Sequence, residues 1–295
     1  MTAYEFRLNL KTNYPDTYRL IYLVTMPVFR MYRKLKSFLF LRRTVKNVDF
    51  LGHRFKIVLD PSNGLVDEAI FIGGVYEPKI LEIIHKYLQK DGIFVDIGSN
   101  IGQHALFASS ILGENGLVVC FEPIHKLTEQ IEESVGVNDF KNRVRVINKA
   151  CGQKEGNALV HLKRGNIGGS SIISGDCRDV ENITVCIADE ELKSLSRKID
   201  LVKIDVEGFE LEVVKGMNNT IRSSLPVVIL EFSPIFWVDN TKDMSLELLG
   251  YFSDLGYKIY DIENNNHEIK DIHFWLSNFD KDQTNLLFVP NTIPR

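Results

Sequence analysis

Residues 92–102 read Gly-Ile-Phe-Val-Asp-Ile-Gly-Ser-Asn-Ile-Gly, and this stretch decides the fold. Its first part, 93–97, is mostly apolar and β-branched, which predicts a strand buried on both faces of a parallel sheet. A loop of small residues then leads into a predicted helix over 104–112. Glycines let a backbone turn sharply and approach a ligand closely, because no Cβ stands in the way. A strand, a glycine loop and a helix start together predict a cofactor pocket at the carboxyl edge of a sheet.

Strands and helices alternate downstream of this loop, which predicts βαβ units and an α/β fold. The predicted strands are 93–97, 117–121, 144–148, 201–204 and 227–232, with a closing pair at 257–262 and 286–289. Two further strands, 158–162 and 183–187, flank a polar loop at 164–179. Residues 92–295 therefore form the predicted cofactor-binding domain.

Two regions precede this domain. Residues 47–91 predict a hairpin within 48–59, turning near Gly52-His53, followed by helices. Residues 1–46 form a basic and aromatic helical extension, in which 27–48 holds seven Lys or Arg and no acidic residue. Residues 20–46 suit peripheral contact with an anionic membrane surface. The alternative is a helix that packs on the catalytic domain with its basic face in water.

Composition excludes several classes of protein. The formal net charge of -4 over 295 residues offers no global basic field, so a nucleic-acid partner is not expected. The four cysteines are not in CxxC spacing, which argues against a zinc site and favours reduced thiols. Because the first residues carry no secretory signal pattern, we expect a cytoplasmic protein, in peripheral contact with the inner membrane face if 20–46 docks there.

The glycine loop does not match the dinucleotide fingerprint G-x-G-x-x-G, because Asn100 and Gln103 stand where the second and third glycines belong. The pattern present is D-x-G-x-N-x-G, formed by Asp96, Gly98, Asn100 and Gly102. Glu122 ends the second strand, where a carboxylate can accept hydrogen bonds from both ribose hydroxyls. The loop and this carboxylate together predict a nucleotide-like cofactor.

A second acidic motif, 205–210, follows the predicted strand 201–204 and reads Asp-Val-Glu-Gly-Phe-Glu. Asp205 and Glu207 would lie at the same sheet edge as the glycine loop. There, one carboxylate could take a proton from a substrate hydroxyl. Alternatively, both cap the following helix, and the two roles are compatible.

The sequence resembles the FkbM family of methyltransferases. The resemblance covers about residues 65–235 and is carried, in order, by Tyr76-Glu77-Pro78, the 95–102 loop, Phe121-Glu122-Pro123, Val137-Asn138, Gly168-Gly169-Ser170-Ser171, the 203–210 segment and Ile229-Leu230-Glu231. Two mild departures are Ser99, where the family usually has alanine, and Gln103-His104, where an aromatic residue is common.

The resemblance implies a Rossmann-like class I methyltransferase fold, a mostly parallel seven-stranded sheet with helices on both faces. It also implies S-adenosylmethionine-dependent O-methylation of a hydroxyl, on a carbohydrate, glycoconjugate or other small molecule. The implied cofactor-binding residues are Asp96, Gly98, Asn100, Gly102, Glu122 and, more weakly, Glu77. The implied catalytic residues are Asp205 and Glu207, with Glu231 a weaker candidate near the pocket mouth.

Other features leave alternatives open. His104 could act as a general base, although a histidine at a helix start is more often a capping or surface group. The 166–171 loop could close over substrate. No metal is expected, although Mg²⁺ held by Asp205 and Glu231 is an alternative. The competing functions are a nicotinamide-dependent oxidoreductase or epimerase, and a membrane-docked binding module that has lost activity.

Overall fold

The computed structural model describes residues 42–163, 165–172, 179–237 and 240–292. Its strands are β1 (Thr44–Phe50), β2 (His53–Leu59), β3 (Ile93–Ile97), β4 (Leu117–Phe121), β5 (Val144–Ile147), β6 (Ala150–Cys151), β7 (Gly156–His161), β8 (Val180–Cys186), β9 (Leu201–Ile204), β10 (Val227–Phe232), β11 (Tyr257–Asp261), β12 (His267–Glu268) and β13 (Thr284–Pro290). Its α-helices are α1 (Leu65–Gly73), α2 (Pro78–Tyr87), α3 (Gln103–Ile111), α4 (His125–Val137), α5 (Ala188–Leu192), α6 (Glu210–Gly216), α7 (Asn218–Ser224), α8 (Thr241–Asp254) and α9 (Ile272–Ser277).

An eight-stranded sheet with the order β12-β11-β13-β10-β9-β3-β4-β5 forms the core. The five strands from β10 to β5 are parallel to their neighbours. The other three pair antiparallel, and β13 lies between β10 and β11. This arrangement confirms the predicted α/β fold with a mostly parallel sheet.

The expected number of seven strands in this sheet is wrong, because β12 adds an eighth at the edge. Only two residue pairs join it to β11, Tyr260 with Glu268 and Asp261 with His267. A strand of two polar residues has no alternation of apolar and polar positions. The periodicity of apolar residues therefore does not predict a strand at this position.

The central strands are buried because helices pack against the sheet. All five residues of β3 and all six of β10 are buried. This burial explains the continuous apolar runs from which these strands were predicted. Against that background, the few charged residues in the central strands stand out, namely Asp96 in β3, Lys203 in β9 and Glu231 in β10.

The hairpin predicted within 48–59 is confirmed, with β1 and β2 paired antiparallel from Thr44–Leu59 to Phe50–His53. It packs on α3 and α4: the rings of Phe55 and Phe107 lie 6.4 Å apart, and the Val58 amide donates to Ser134 Oγ at 3.0 Å. The strands flanking the polar loop form a separate three-stranded sheet with the order β6-β8-β7.

Residues 1–41 lie outside the described residues, so the predicted 1–46 helical extension and its membrane contact through 20–46 stay predictions. The last three residues of that predicted extension, 44–46, belong to β1. Within the described ranges, no helix is both long enough and apolar enough to cross a bilayer.

Candidate active site

The loop after β3 confirms that glycine is needed at its first turn. Gly98 has φ +79°, and a Cβ placed there would lie 1.8 Å from the main-chain oxygen of Asp205. The amides of Gly98 and Ser99 both donate to the Phe121 carbonyl, at 2.9 and 3.1 Å. The loops that leave β3, β4 and β9 are thereby held in contact at one sheet edge.

A cleft opens beside this loop, at the edge where β3, β4 and β9 end. It brings together five predicted site residues from three strand ends, namely Gly98, Asn100, Glu122, Asp205 and Glu207. Its lining also includes the apolar residues Ile124, Leu127, Ala150 and Val160. A lining that combines apolar side chains with carboxylates suits a ligand that has both a flat ring and polar groups.

Glu122 binds the two loops that flank the cleft. One carboxylate oxygen accepts from the Asn100 amide at 2.8 Å, and the other accepts from the Ile124 amide at 3.0 Å. Because the side chain is buried, the pKa of Glu122 rises to about 8, although both amides lower it. Each oxygen keeps a further lone pair, so the carboxylate can still accept hydrogen bonds from a ligand.

Gly102 and Asp96 do not line the cleft. Gly102 has φ +80° and precedes α3, where its missing Cβ leaves room for Ile131, about 3.0 Å away. Asp96 is fully buried, and Ser99 Oγ donates to its main-chain oxygen rather than to its carboxylate. Neither carboxylate oxygen of Asp96 has a hydrogen-bond partner among the described residues. Burial raises the pKa of Asp96 to about 6.

Lys203 is a site residue that sequence reasoning did not single out. It is 2% exposed, it lies opposite Asp96 in the sheet, and its Nζ is 2.7 Å from Asp205 Oδ2. Burial alone would lower the pKa of Lys203, but Asp205, Asp96 and Glu77 together raise it. The lysine is therefore charged and fixes the position of Asp205. The sequence feature that could have identified Lys203 is its position as a charged residue inside an otherwise apolar strand.

Three carboxylates meet where β9 and β10 end. Single oxygens of Asp205, Glu207 and Glu231 all lie within 4.8 Å of one another. Burial raises the pKa of Glu207 to about 7, and Asp205 adds to that rise. Burial also raises the pKa of Glu231, whose oxygens accept from Gln283 at 2.9 Å and Ser233 at 3.1 Å.

This carboxylate cluster could hold a cation, but acidic groups often cluster without one. The absence of a metal therefore stays a prediction. Like charges at this spacing disfavour full ionisation, so at least one of the three groups is set to accept a proton near neutral pH.

Glu77 and His104 line a second, smaller cavity that shares Gly98, Asn100 and Asp205 with the cleft. Glu77 Oε2 is 3.6 Å from His104 Nε2, beyond hydrogen-bond distance. Glu77 thus lies with the cofactor loop, as expected, and is mostly buried rather than exposed. Burial lowers the pKa of His104, so the imidazole is neutral.

The 165–172 segment closes against the cofactor loop. A Cβ on Gly168 would lie 2.0 Å from the side-chain amide of Asn100, and Ser171 Oγ donates to the Glu207 carbonyl at 2.9 Å. The Ile167 amide donates to the Asn63 carbonyl at 2.9 Å. The predicted 166–171 loop therefore contacts both halves of the site.

A mostly parallel sheet with a glycine loop, a cleft and a carboxylate cluster at the carboxyl ends of its strands has the arrangement of a Rossmann-like cofactor-binding fold. Residues 96–259, more than half of the 295, match the Methyltransferase FkbM domain. The chain belongs to the FkbM methyltransferase family and is an S-adenosylmethionine-dependent methyltransferase. This membership removes the nicotinamide-dependent alternative.

One curated relative is the "Hexuronic acid methyltransferase AglP" of Haloferax volcanii, 28% identical over 174 residues, which are 57% of this chain and 68% of that protein. Among solved structures, the methyltransferase FkbM of Methylobacillus flagellatus KT matches with a TM-score of 0.44 and 16% identity, over 75% of this chain and 52% of that one. A SAM-dependent O-methyltransferase of Thermotoga maritima matches with a TM-score of 0.41 and 10% identity, over 85% and 79%.

Proposed function

We propose that this protein transfers the methyl group of S-adenosylmethionine to a hydroxyl of a carbohydrate or glycoconjugate. In this proposal the methyltransferase domain spans 92–295, the 47–91 region covers one side of it, and the acceptor is a hydroxyl-bearing small molecule or glycan. The observation that carries the proposal is the cluster of Asp205, Glu207 and Glu231 beside the cofactor cleft. The hexuronic acid named for the curated relative supports a sugar acceptor.

The cofactor fits the residues that line the cleft. The missing Cβ of Gly98 leaves room for the Asp205 backbone, and Asn100, Glu122 and Glu77 offer acceptors along the cavities. In the proposal, Glu122 holds the ribose and the 98–102 loop admits the amino-acid end. Asp96 contributes a buried negative charge behind the loop. When bound, S-adenosylmethionine supplies an electrophilic methyl group on a positively charged sulfur.

In the proposal, the residues of the chain align the two reactants and provide a proton acceptor. Lys203 fixes Asp205, which leaves Glu207 as the carboxylate with a pKa near 7 at the cleft. A hydroxyl placed against Glu207 would pass its proton to that carboxylate as its oxygen takes the methyl group, and the carbon–sulfur bond that breaks would leave S-adenosylhomocysteine. Alignment of the two reactants supplies most of the acceleration, because the displacement needs no covalent intermediate.

Cofactor binding tests the first half of the proposal. We expect S-adenosylhomocysteine to bind in calorimetry, and Asp96→Ala or Glu122→Ala to weaken binding at least about tenfold, or ~1.4 kcal/mol. Glu132→Ala, an exposed carboxylate on α4, is the matched control and should bind normally. Unchanged affinity in both site variants would contradict the cofactor assignment.

Acceptor chemistry tests the second half. Deleting the gene should remove a methyl ether from a cellular glycan, detected by mass spectrometry. Mild alkali distinguishes the products, because an ether survives saponification and a methyl ester does not. An alkali-labile methyl group would instead assign a carboxylate as the acceptor.

The proposed location is cytoplasmic, with 20–46 in contact with the inner face of a membrane. Seven basic residues in 27–48, interleaved with aromatic and aliphatic residues, support it. Full-length protein should float with anionic liposomes, and a variant that lacks 1–46 should not. Equal behaviour of the two proteins would remove the membrane contact.

A further inference from the structure

The smaller cavity contains polar atoms that the described protein does not satisfy. Glu77 Oε2 and His104 Nε2 both line it, both are buried, and neither has a hydrogen-bond partner among the described residues. Buried polar atoms in native proteins are almost always hydrogen-bonded, so two such atoms facing one cavity point to a ligand.

The chemistry of these atoms defines what the ligand must offer. A carboxylate oxygen accepts hydrogen bonds, and so does one nitrogen of a neutral imidazole. The nearby cation, Lys203, is already engaged with Asp205 at 2.7 Å. The cavity therefore presents acceptors and negative charge, and a primary ammonium group matches it with three N–H donors and a positive charge.

The backbone holds Glu77 ready for such a ligand. Glu77 has φ 47° and ψ 60°, a left-handed conformation that costs free energy outside glycine. Two hydrogen bonds keep it there, because the Gln103 side chain accepts from the Tyr76 amide at 2.6 Å and donates to the Tyr76 carbonyl at 2.8 Å. These hydrogen bonds hold the main chain next to Glu77, and Asn285 donates to the other carboxylate oxygen, Oε1, at 3.3 Å.

We propose that this cavity binds the ammonium group at the amino-acid end of the cofactor, and that the incoming ammonium displaces a proton held by Glu77. This inference rests on the proposed function, since it concerns the same ligand. It adds that cofactor affinity depends on pH through Glu77, with His104 as the neutral neighbour that completes the site.

Charge around Glu77 supports proton uptake in the free protein. The groups that face it from the surrounding elements are Lys203 and Asp205 at the end of β9, His104 on α3, Asn285 on β13 and Glu263 after β11. Burial raises the pKa of Glu77 to about 7, and Lys203 lowers it less than burial raises it. A bound ammonium favours the ionised carboxylate, so binding releases a proton and affinity falls as pH decreases below 7.

Proton release can be measured directly. S-adenosylhomocysteine is titrated into the full chain at pH 7 in two buffers of different ionisation enthalpy. We expect release of about half a proton per ligand, since Glu77 is about half protonated at that pH. The companion ligand is 5′-methylthioadenosine, which keeps the adenosine and the sulfur but has no amino-acid end. It should bind without that release.

Variants assign the proton to its source. Glu77→Gln should abolish the release, and Glu82→Gln, an exposed carboxylate on the helix that follows Glu77, should preserve it. Equal release with the two ligands, or no release with S-adenosylhomocysteine, would overturn the proposal even if Glu77→Gln does not fold. If S-adenosylhomocysteine does not bind at all, the proposed function itself fails.

Discussion

Gly98 is the residue where a single methyl group would disturb three loops at once. Gly98→Ala would place a Cβ 1.8 Å from a backbone oxygen at φ +79°, and neither side can retreat easily. We expect a loss of roughly 2 kcal/mol or more in unfolding free energy, measured by denaturant titration. Gly73→Ala is the matched control, because that glycine ends α1 with no atom within 4 Å of an added Cβ. Equal stability of the two variants would contradict the crowding at Gly98.

In the proposed mechanism, Glu207 sets the pH dependence of the chemical step. Its pKa is raised to about 7, and a general base must be ionised. We therefore expect kcat to fall about tenfold for each pH unit below 7. Glu207→Gln should lower kcat by about 10²- to 10⁴-fold and remove this limb. Glu114→Gln, an exposed carboxylate distant in sequence, should keep both rate and profile. A limb that persists in Glu207→Gln would assign the base to another member of the cluster.

At the level of elements, the crossover segment 165–172 contacts the side chain of Asn100 in the loop after β3. Gly168→Ala would place a methyl group 2.0 Å from the side-chain amide nitrogen of Asn100. Asn100 has φ +52° and lies in the loop after β3. Because that side chain must move, we expect S-adenosylhomocysteine affinity to fall at least about tenfold in calorimetry. Gly156→Ala in β7 meets no atom within 4 Å and should bind normally. Normal affinity in Gly168→Ala would place the segment outside the cofactor site.

The sequence predicts where the parallel strands end, because each strand is a short run of apolar residues that a polar residue or a glycine follows. Buried apolar runs locate β3, β4 and β9, and parallel strands bring their carboxyl ends to one edge, so the approach of Gly98 to Asp205 followed from topology. Gln103, His104 and Lys203 were harder to predict. Their roles depend on the packing of α2 and α3 across the sheet, which no short-range pattern records.

Short elements were missed for a related reason. The helix α7 opens with Asn218-Asn219, and α9 has only six residues. At that length a helix gains little from its own hydrogen bonds and forms because tertiary contacts hold it. In α9, for example, the Asp271 side chain accepts from the Phe274 amide at 2.9 Å, and Trp275 packs against Phe232.

On the scale of the whole molecule, buried carboxylates invert the usual effect of pH on stability. Burial raises the folded-state pKa of Glu122 and Glu210 to about 8 and that of Glu77 to about 7, whereas unfolded glutamates titrate near ~4.3. Between these values the folded state binds more protons than the unfolded state. Stability therefore falls as pH rises through this window.

The ligand-free protein should consequently melt several degrees higher at pH 5.5 than at pH 8, measured by calorimetry at fixed ionic strength. Saturating S-adenosylhomocysteine should reduce the difference in melting temperature between the two pH values, because a bound ammonium favours the ionised form of Glu77. A higher melting temperature at pH 8 without ligand would show that these carboxylates are better solvated than their burial implies.

The position of β13 has a consequence for how the site is assembled during synthesis. This strand lies between β10 and β11, and its Asn285 donates to Glu77 across 208 residues of sequence. Until the ribosome has delivered β13, β10 and β11 cannot be joined and Glu77 lacks one of its hydrogen-bond donors. Contacts of such long range slow folding, because loop closure precedes any gain from pairing. Until β13 has emerged, the nascent chain therefore keeps an open sheet edge at β10.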